Sequence, residues 1–498
     1  MVHLITEFSK YLMIILFAVY TFYSYTVLKQ KDGSDRAQLI YKRQTVCMFL
    51  LHLDAYAVIF ANTGQIKMLV FYAAQTAFIL FLFFIYKVLY KRSAKLIVNH
   101  MCMLMIIGFI ILTRLNFESA LRQFEIACVA AVLSIFVPFL IRKMKALRRF
   151  TWFYAVFGIL VLGFVCLFGS TTYGAKLSIP IGSIAVQPSE FIKILFVFFA
   201  ACMLYHVKDF KQVVITTVIA ALHVMILVVS KDLGAALIFF VTYIVMLYVA
   251  TRNPLYFFGG LGLGAGAALL AGKFFDHVKV RVSAWKDPFA SIDGGGWQVA
   301  QSLFAIGTGG WAGMGLFQGM PESIPVRESD FVFAAISEEM GGVFALCIIL
   351  VCFSCFLMTL NIAMQIRDQF YKLIALGLGT LYGFQVFLTI GGVIKCIPST
   401  GVTLPFISYG GSSLLCTMIL FAIIQGLYIL RQDEGESDEK RKPAQKSKKK
   451  TATEKKHETD KTPGRKETPK DNRNDRHESD RRPGRKSRFD QEEIDEIW

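Results

Sequence analysis

Asp330-Phe331-Val332-Phe333-Ala334-Ala335-Ile336-Ser337-Glu338-Glu339 is the stretch on which the fold turns. Asp330 closes the longest polar stretch between apolar segments in the first 430 residues, from about Asp276. The chain then returns directly to apolar sequence, with Glu338 and Glu339 inside it. On insertion scales one acid at the centre of a membrane span costs about 2.5–3.5 kcal/mol, so acids kept there read as functional.

The surrounding composition fits a membrane. The chain has 498 residues, is 55% hydrophobic and carries 45 Phe. Apolar runs of about 18 residues or more recur from Met13 to Leu430, which makes this an all-α polytopic membrane protein. About thirteen spans are expected, near 9–28, 45–62, 68–88, 96–114, 124–141, 151–169, 187–205, 212–229, 233–250, 256–274, 331–358, 370–394 and 404–430. Nearly all of the ten Cys lie in apolar runs and read as small core residues, not as a disulfide or metal framework.

The net charge of +17 does not imply nucleic acid. From Asp433 onward there are 20 basic and 18 acidic residues, so about +15 belongs to the membrane part. Its basic clusters follow every second span: Lys29–Arg43, Lys87–Lys95, Arg142–Arg149, Lys208–Lys211, Arg252, Arg367–Lys372 and Arg431 onward. Positive loops stay cytoplasmic. The N-terminus and the 276–330 loop are therefore expected outside, and the C-terminal tail inside. The first span lacks a small-residue cleavage site and reads as an anchor. The tail, 432–498, is too polar to bury a core and is expected to be disordered. Its end, Phe489 to Trp498, looks like a docking peptide for a cytoplasmic protein, or else the tail is a solubilising segment that touches lipid headgroups.

Four segments carry chemistry. In Gln187-Pro188-Ser189-Glu190-Phe191-Ile192-Lys193, Pro188 suits a first helical turn and Glu190 and Lys193 share a face. They are a substrate site or a structural ion pair. In Ser230-Lys231-Asp232-Leu233-Gly234, Asp232 is a substrate contact or the N-cap of the next helix. The 276–330 loop holds Lys279, Arg281, Gln298, Gln301 and Ser302, followed by a glycine-rich run from Gly307 to Gly315. Such glycines give backbone amides access to an oxyanion or sugar, and the basic side chains suit a diphosphate. No nucleotide fingerprint is present. Finally, Pro398 to Ser413 breaks apolar sequence with two prolines and three glycines. Irregular backbone at that depth survives only against protein or a water-filled cavity, so a cavity wall is expected there, with Lys395 at its outer mouth.

These segments, in this order, resemble the SEDS family (shape, elongation, division and sporulation; the FtsW/RodA/SpoVE type). The resemblance rests on Gln187-Pro188-Ser189-Glu190-x-x-Lys193, Asp232-Leu233-Gly234, Gln298-x-x-Gln301-Ser302, Asp330-Phe331-x-Phe333 with Glu338-Glu339-x-Gly341, and above all Leu404-Pro405-Phe406-Ile407-Ser408-Tyr409-Gly410-Gly411-Ser412-Ser413. It covers about 96–431, a ten-span core. Residues 1–95 are then three added transmembrane helices, and 432–498 the tail. Three spots depart from the family: Lys176 stands alone where a basic run is usual, Val326-Arg327 interrupts the approach to Asp330, and Ser230-Lys231 precedes Asp232.

The resemblance implies a peptidoglycan glycosyltransferase of the cell membrane that polymerises lipid II for division, elongation or sporulation. It implies Asp330 as the catalytic base and a class B penicillin-binding protein as transpeptidase partner. The substrate contacts are then Glu190, Lys193, Asp232, Arg281, Gln298, Gln301, Ser302, Lys395, Ser408, Gly410, Gly411, Ser412 and Ser413. A divalent cation, Mg or Mn, is an expected aid, with no nucleotide or redox cofactor. The rivals are a lipid II flippase, since broken helices and midplane charges also fit transporters, and a scaffold that only recruits the transpeptidase.

Overall fold

The computed structural model describes residues 2–30, 33–143, 145–172, 175–181, 184–207, 209–292 and 294–458. Its helices and strands, in order, are α1 (Val2–Leu28), α2 (Asp35–Thr63), α3 (Ile66–Leu89), α4 (Lys95–Leu115), α5 (Phe117–Lys143), α6 (Thr151–Phe168), β1 (Ser170–Thr172), β2 (Ala175–Ile181), β3 (Ile184–Val186), α7 (Pro188–Leu204), α8 (Phe210–Val229), α9 (Leu233–Thr251), α10 (Pro254–Phe274), α11 (Asp276–Lys286), α12 (Trp297–Gly309), α13 (Val332–Gln365), α14 (Gln369–Val393) and α15 (Gly411–Glu458). Among the described residues, 12 helices are long and apolar enough to cross a membrane. The remaining expected span, near 187–205, is α7, which has 17 residues.

Local chemistry sets several ends. Ser34 caps α2 by accepting from the Ala37 amide, Asp368 caps α14 through Phe370, and Pro188 opens α7. The periodicity expected 404–430 to be helical, but α15 starts only at Gly411, because the Pro405 stretch stays non-helical.

The all-α reading stands with one small addition, and two other expectations change. β1, β2 and β3 form an antiparallel sheet in that order, with Ile179 opposite Val186 and Ile181 opposite Ile184. The β-branched residues of 170–186 favour strands, and Ala175, Leu177, Ile179 and Ile181 alternate through β2, a strand signal present in the sequence. The 276–330 loop is largely structured, with α11, α12 and a 3₁₀ turn at Pro321–Ser323. The tail, expected to be disordered, is helical as far as Glu458, where Lys, Glu, Gln and Ala are good helix formers. The expected docking peptide at 489–498 lies outside the described residues. Met1–Ser437 forms one compact unit and Asp438–Trp498 a second.

Within the first unit, α4 is buried throughout its apolar length, whereas α10 buries no residue. α2, α5 and α13 pack on α4, and α1 packs on α2 and α13. α13 is two helices joined at Gly341, whose φ of 88° and ψ of 167° break the helical path. α7, α9 and α14 pack on one another and carry the polar residues described next.

Candidate active site

The non-helical stretch between α14 and α15 grips the residues just before Asp330. Ser408 Oγ accepts from the Leu404 amide (2.8 Å) and donates to the Ser329 carbonyl. The Tyr409 amide donates to the Glu328 carbonyl at 2.7 Å. Gln123 of α5 ties this stretch down, donating to Ser408 O (3.1 Å) and accepting from Gly410 N (3.2 Å). The broken backbone is thus satisfied by protein, as irregular chain at membrane depth requires.

Asp330 itself is only half-buried. Ser329 Oγ donates to its Oδ1 at 3.2 Å. A Cβ placed on Gly401 would lie 3.4 Å from Asp330 Oδ2 and 3.8 Å from Arg281 Nη2. Gly401, with φ of 72°, is therefore the gap shared by the acid and the guanidinium. Arg281 donates from Nη1 to the Ser399 carbonyl (3.1 Å), and Trp285, one turn later on α11, donates to the Lys395 carbonyl (3.2 Å). Burial raises the Asp330 carboxyl above its ordinary value, opposed by the Ser329 hydroxyl and by Arg281. Arg281 feels both Asp330 and Asp232, and burial lowers its own value.

Asp232 continues the polar line inward. Its Oδ1 caps α9 by accepting from the Ala235 amide (3.0 Å), and Oδ2 accepts from Ser189 Oγ (3.3 Å). Burial also raises this carboxyl, against the Ala235 amide bond. One residue past Ser189, Glu190 meets Lys193 at 2.8 Å through both carboxylate oxygens. Lys193 Nζ also donates to Gln385 Oε1 (2.9 Å), and Gln385 Nε2 donates to the Thr403 carbonyl (3.0 Å). A small cavity with room for about one water lies beside Glu190, Lys193 and Gln385.

The structure therefore brings Asp330, Arg281, Asp232, Glu190 and Lys193 into one line. Lys395, just past α14, accepts from Trp285 through its carbonyl, and its side chain forms no ion pair with a described residue. Gln298 and Gln301 are half-buried on α12, and no hydrogen bond joins them to this line. Ser302 is committed elsewhere, donating to the Val393 carbonyl at 2.8 Å. Ser412 accepts from the Gln187 amide (3.0 Å), Ser413 accepts from Thr403 Oγ1 (2.8 Å), and Gly411 packs on Ile126. Ser408, Gly410, Ser412 and Ser413 thus each have a protein partner.

The glycines after α12 play another part than the expected anion cradle. A Cβ on Gly309 would sit 2.1 Å from Ser337 O, and one on Gly313 2.4 Å from Glu339 O. The amides of Met314 and Gly315 are taken by the Glu338 and Glu339 carbonyls (2.9 and 2.8 Å). These glycines let two backbones touch. Sequence reading also missed Arg114, which donates to Glu339 (3.0 Å) and Glu322 (3.1 Å), and Gln385, the second partner of Lys193. Each is a polar side chain in a mostly apolar helix, a signal present in the sequence.

Among the described residues no group of three or more His, Cys, Asp or Glu converges, and the cation facing Asp330 is Arg281.

A family model described as "Cell cycle protein", FTSW_RODA_SPOVE, matches residues 94–432. The peptidoglycan glycosyltransferase RodA of Mycobacterium bovis is 36% identical over 316 residues, covering 59% of this chain and 66% of that one. Stage V sporulation protein E of Bacillus subtilis is 34% identical over 279 residues, covering 54% of this chain and 74% of that one. The chain thus spans slightly less than two thirds of the Mycobacterium relative's length. A solved peptidoglycan synthase complex, titled for its coordination of polymerization and crosslinking, superposes with a TM-score of 0.59 at 23% identity, over 68% of this chain and 98% of that one. The rod shape determining protein RodA of Thermus thermophilus superposes with a TM-score of 0.53 at 22% identity, over 68% and 97%. At these identities the superpositions speak for the fold alone. The family match extends from the N-terminal end of α4 into α15 and takes in every residue of the polar line, so the chain belongs to the FtsW/RodA/SpoVE family of cell cycle proteins.

Proposed function

We propose that the protein is a peptidoglycan glycosyltransferase that polymerises lipid II at the outer face of the cell membrane. The observation that carries this reading is the open carboxylate of Asp330, held beside Arg281 at the start of α13. The seven basic clusters support the orientation, with the 276–330 segment outside and the tail in the cytoplasm.

In this mechanism the 4-hydroxyl oxygen of an acceptor GlcNAc attacks C1 of a donor MurNAc. The new C1–O4 bond forms as the bond from C1 to the diphosphate breaks. The hydroxyl proton passes to Asp330 as general base, and the polyprenyl diphosphate leaves with the bonding electron pair. One displacement inverts the anomeric centre. Arg281 faces the charge that develops on the diphosphate, with Lys395 at the mouth. Glu190, Lys193 and Gln385 hold α7 and α14 together as the floor, and Ser408 fixes the turn that aims Asp330. A class B penicillin-binding protein is proposed as transpeptidase partner; the solved complex with this fold is itself titled for polymerization and crosslinking.

Purified full-length protein in lipid vesicles, incubated with lipid II, tests the reading. Long glycan strands on a gel support it. Translocated lipid II without strands would instead make the protein a flippase. Neither strands nor translocation would leave a scaffold that recruits the transpeptidase.

A further inference from the structure

Residues before 94 lie outside the family match, yet α1 touches α13 at several levels. The break at Gly341 separates the half-helix 332–340 from the rest of α13. The segment 310–315 patches that break. Met314 N and Gly315 N donate to Glu338 O and Glu339 O, while Gly342 N and Val343 N donate to Gly310 O (2.8 Å) and Trp311 O (3.2 Å).

The patch is in turn held by α1. Lys10, paired with Glu7 at 2.7 Å, donates from Nζ to Gly313 O at 3.4 Å. A Cβ on Gly315 would lie 3.1 Å from Thr6 Cγ2, and Thr6 Oγ1 accepts from Asn62 of α2 at 3.5 Å. Below the break, the Phe17 and Phe344 rings pack with centroids 4.6 Å apart. Tyr25 OH donates to Leu350 O (2.8 Å), and Tyr20 reaches Ser354 through His100 of α4 (2.9 and 3.0 Å).

We infer that α1, backed by α2, works as a built-in brace on the break in α13, and that Lys10 and Phe17 are positioning residues for polymerisation. They fix the 310–315 patch and the first turn after Gly341. The half-helix 332–340, which begins two residues after Asp330, is thereby fixed too. Tight placement matters because a shift of about 1 Å, from changes far from the chemistry, can cost up to about 100-fold in rate. The inference rests on the polymerase reading for its activity readout, but not for its structural one.

The test uses full-length protein with Lys10→Met, Phe17→Ala, the conservative Lys10→Arg and Phe17→Leu, and Phe22→Ala as a lipid-facing control on the same helix, 68% exposed. Hydrogen exchange is followed over 310–315 and 338–343, with α14 as internal reference. Lys10→Met and Phe17→Ala are expected to speed exchange in both segments and leave α14 unchanged. Their kcat per folded molecule should fall about tenfold with KM nearly constant, and the conservative variants should recover most of it. Unchanged exchange in both segments overturns the brace, as does a loss explained wholly by a smaller folded fraction. If wild type makes no polymer, the function reading fails while the exchange arm still decides the brace.

Discussion

Glu190 and Asp330 are two acids of one polar line held in opposite ways. Glu190 is 8% exposed, and both its oxygens meet Lys193, which is 3% exposed and also bonded to Gln385. Asp330 has one hydroxyl on Oδ1 and, beyond the Gly401 gap, a guanidinium. A closed pair has its charges mutually neutralised and works as a joint between helices. An open, partly desolvated carboxylate can take a proton. The difference supports the proposed roles, the floor for Glu190 and the chemistry for Asp330.

The contrast can be broken most forcefully at the closed pair. Lys193→Met leaves Glu190 buried and unpaired, which should cost about 3–5 kcal/mol of stability. Glu190→Gln combined with Lys193→Met should recover part of that in a thermal unfolding measurement. A double variant no more stable than Lys193→Met would mean that the pair is not the joint described here.

Arg281→Met should lower kcat by about 100-fold, the scale seen when one donor to developing charge is removed. It should also move the acid limb of the pH–rate profile. The base form of Asp330 grows in as pH rises through its raised value, so the rate rises with pH there. Loss of the cation that opposes that rise pushes the limb to higher pH. A limb that stays put or moves down would separate Arg281 from Asp330.

Gly401→Ala is the mildest break. An alanine at φ of 72° costs roughly 1–2 kcal/mol, and its Cβ would enter the gap between acid and guanidinium. About a tenfold fall in kcat is expected in steady-state assays, on the scale of a small misplacement. Full activity would show that the gap admits more than hydrogen.

The sequence carried the outline of this contrast because its signals are local. Apolar length marked the spans, and Asp330 showed itself by closing a polar stretch against an apolar one. The three-residue spacing of Glu190 and Lys193 marked a pair, and Asp232 capped the helix its turn suggested. What was not legible depends on approach between distant segments. Nothing near Gly309 or Gly313 says that α13 breaks at Gly341 and needs them against it. The partnership of Arg114 with Glu339 spans 225 residues, and that of Ser408 with Ser329 spans 79. The alternation of β2 over seven residues was legible, whereas β1 and β3, three residues each, are too short to show one.

The central claim is that Asp330 accepts the proton, and Asp330→Asn tests it most directly, since the amide keeps the shape and removes the base. Purified full-length variant with lipid II should lose about 10²–10⁴-fold in strand formation, with insertion and thermal stability retained. Strand formation within a few-fold of wild type would contradict the account.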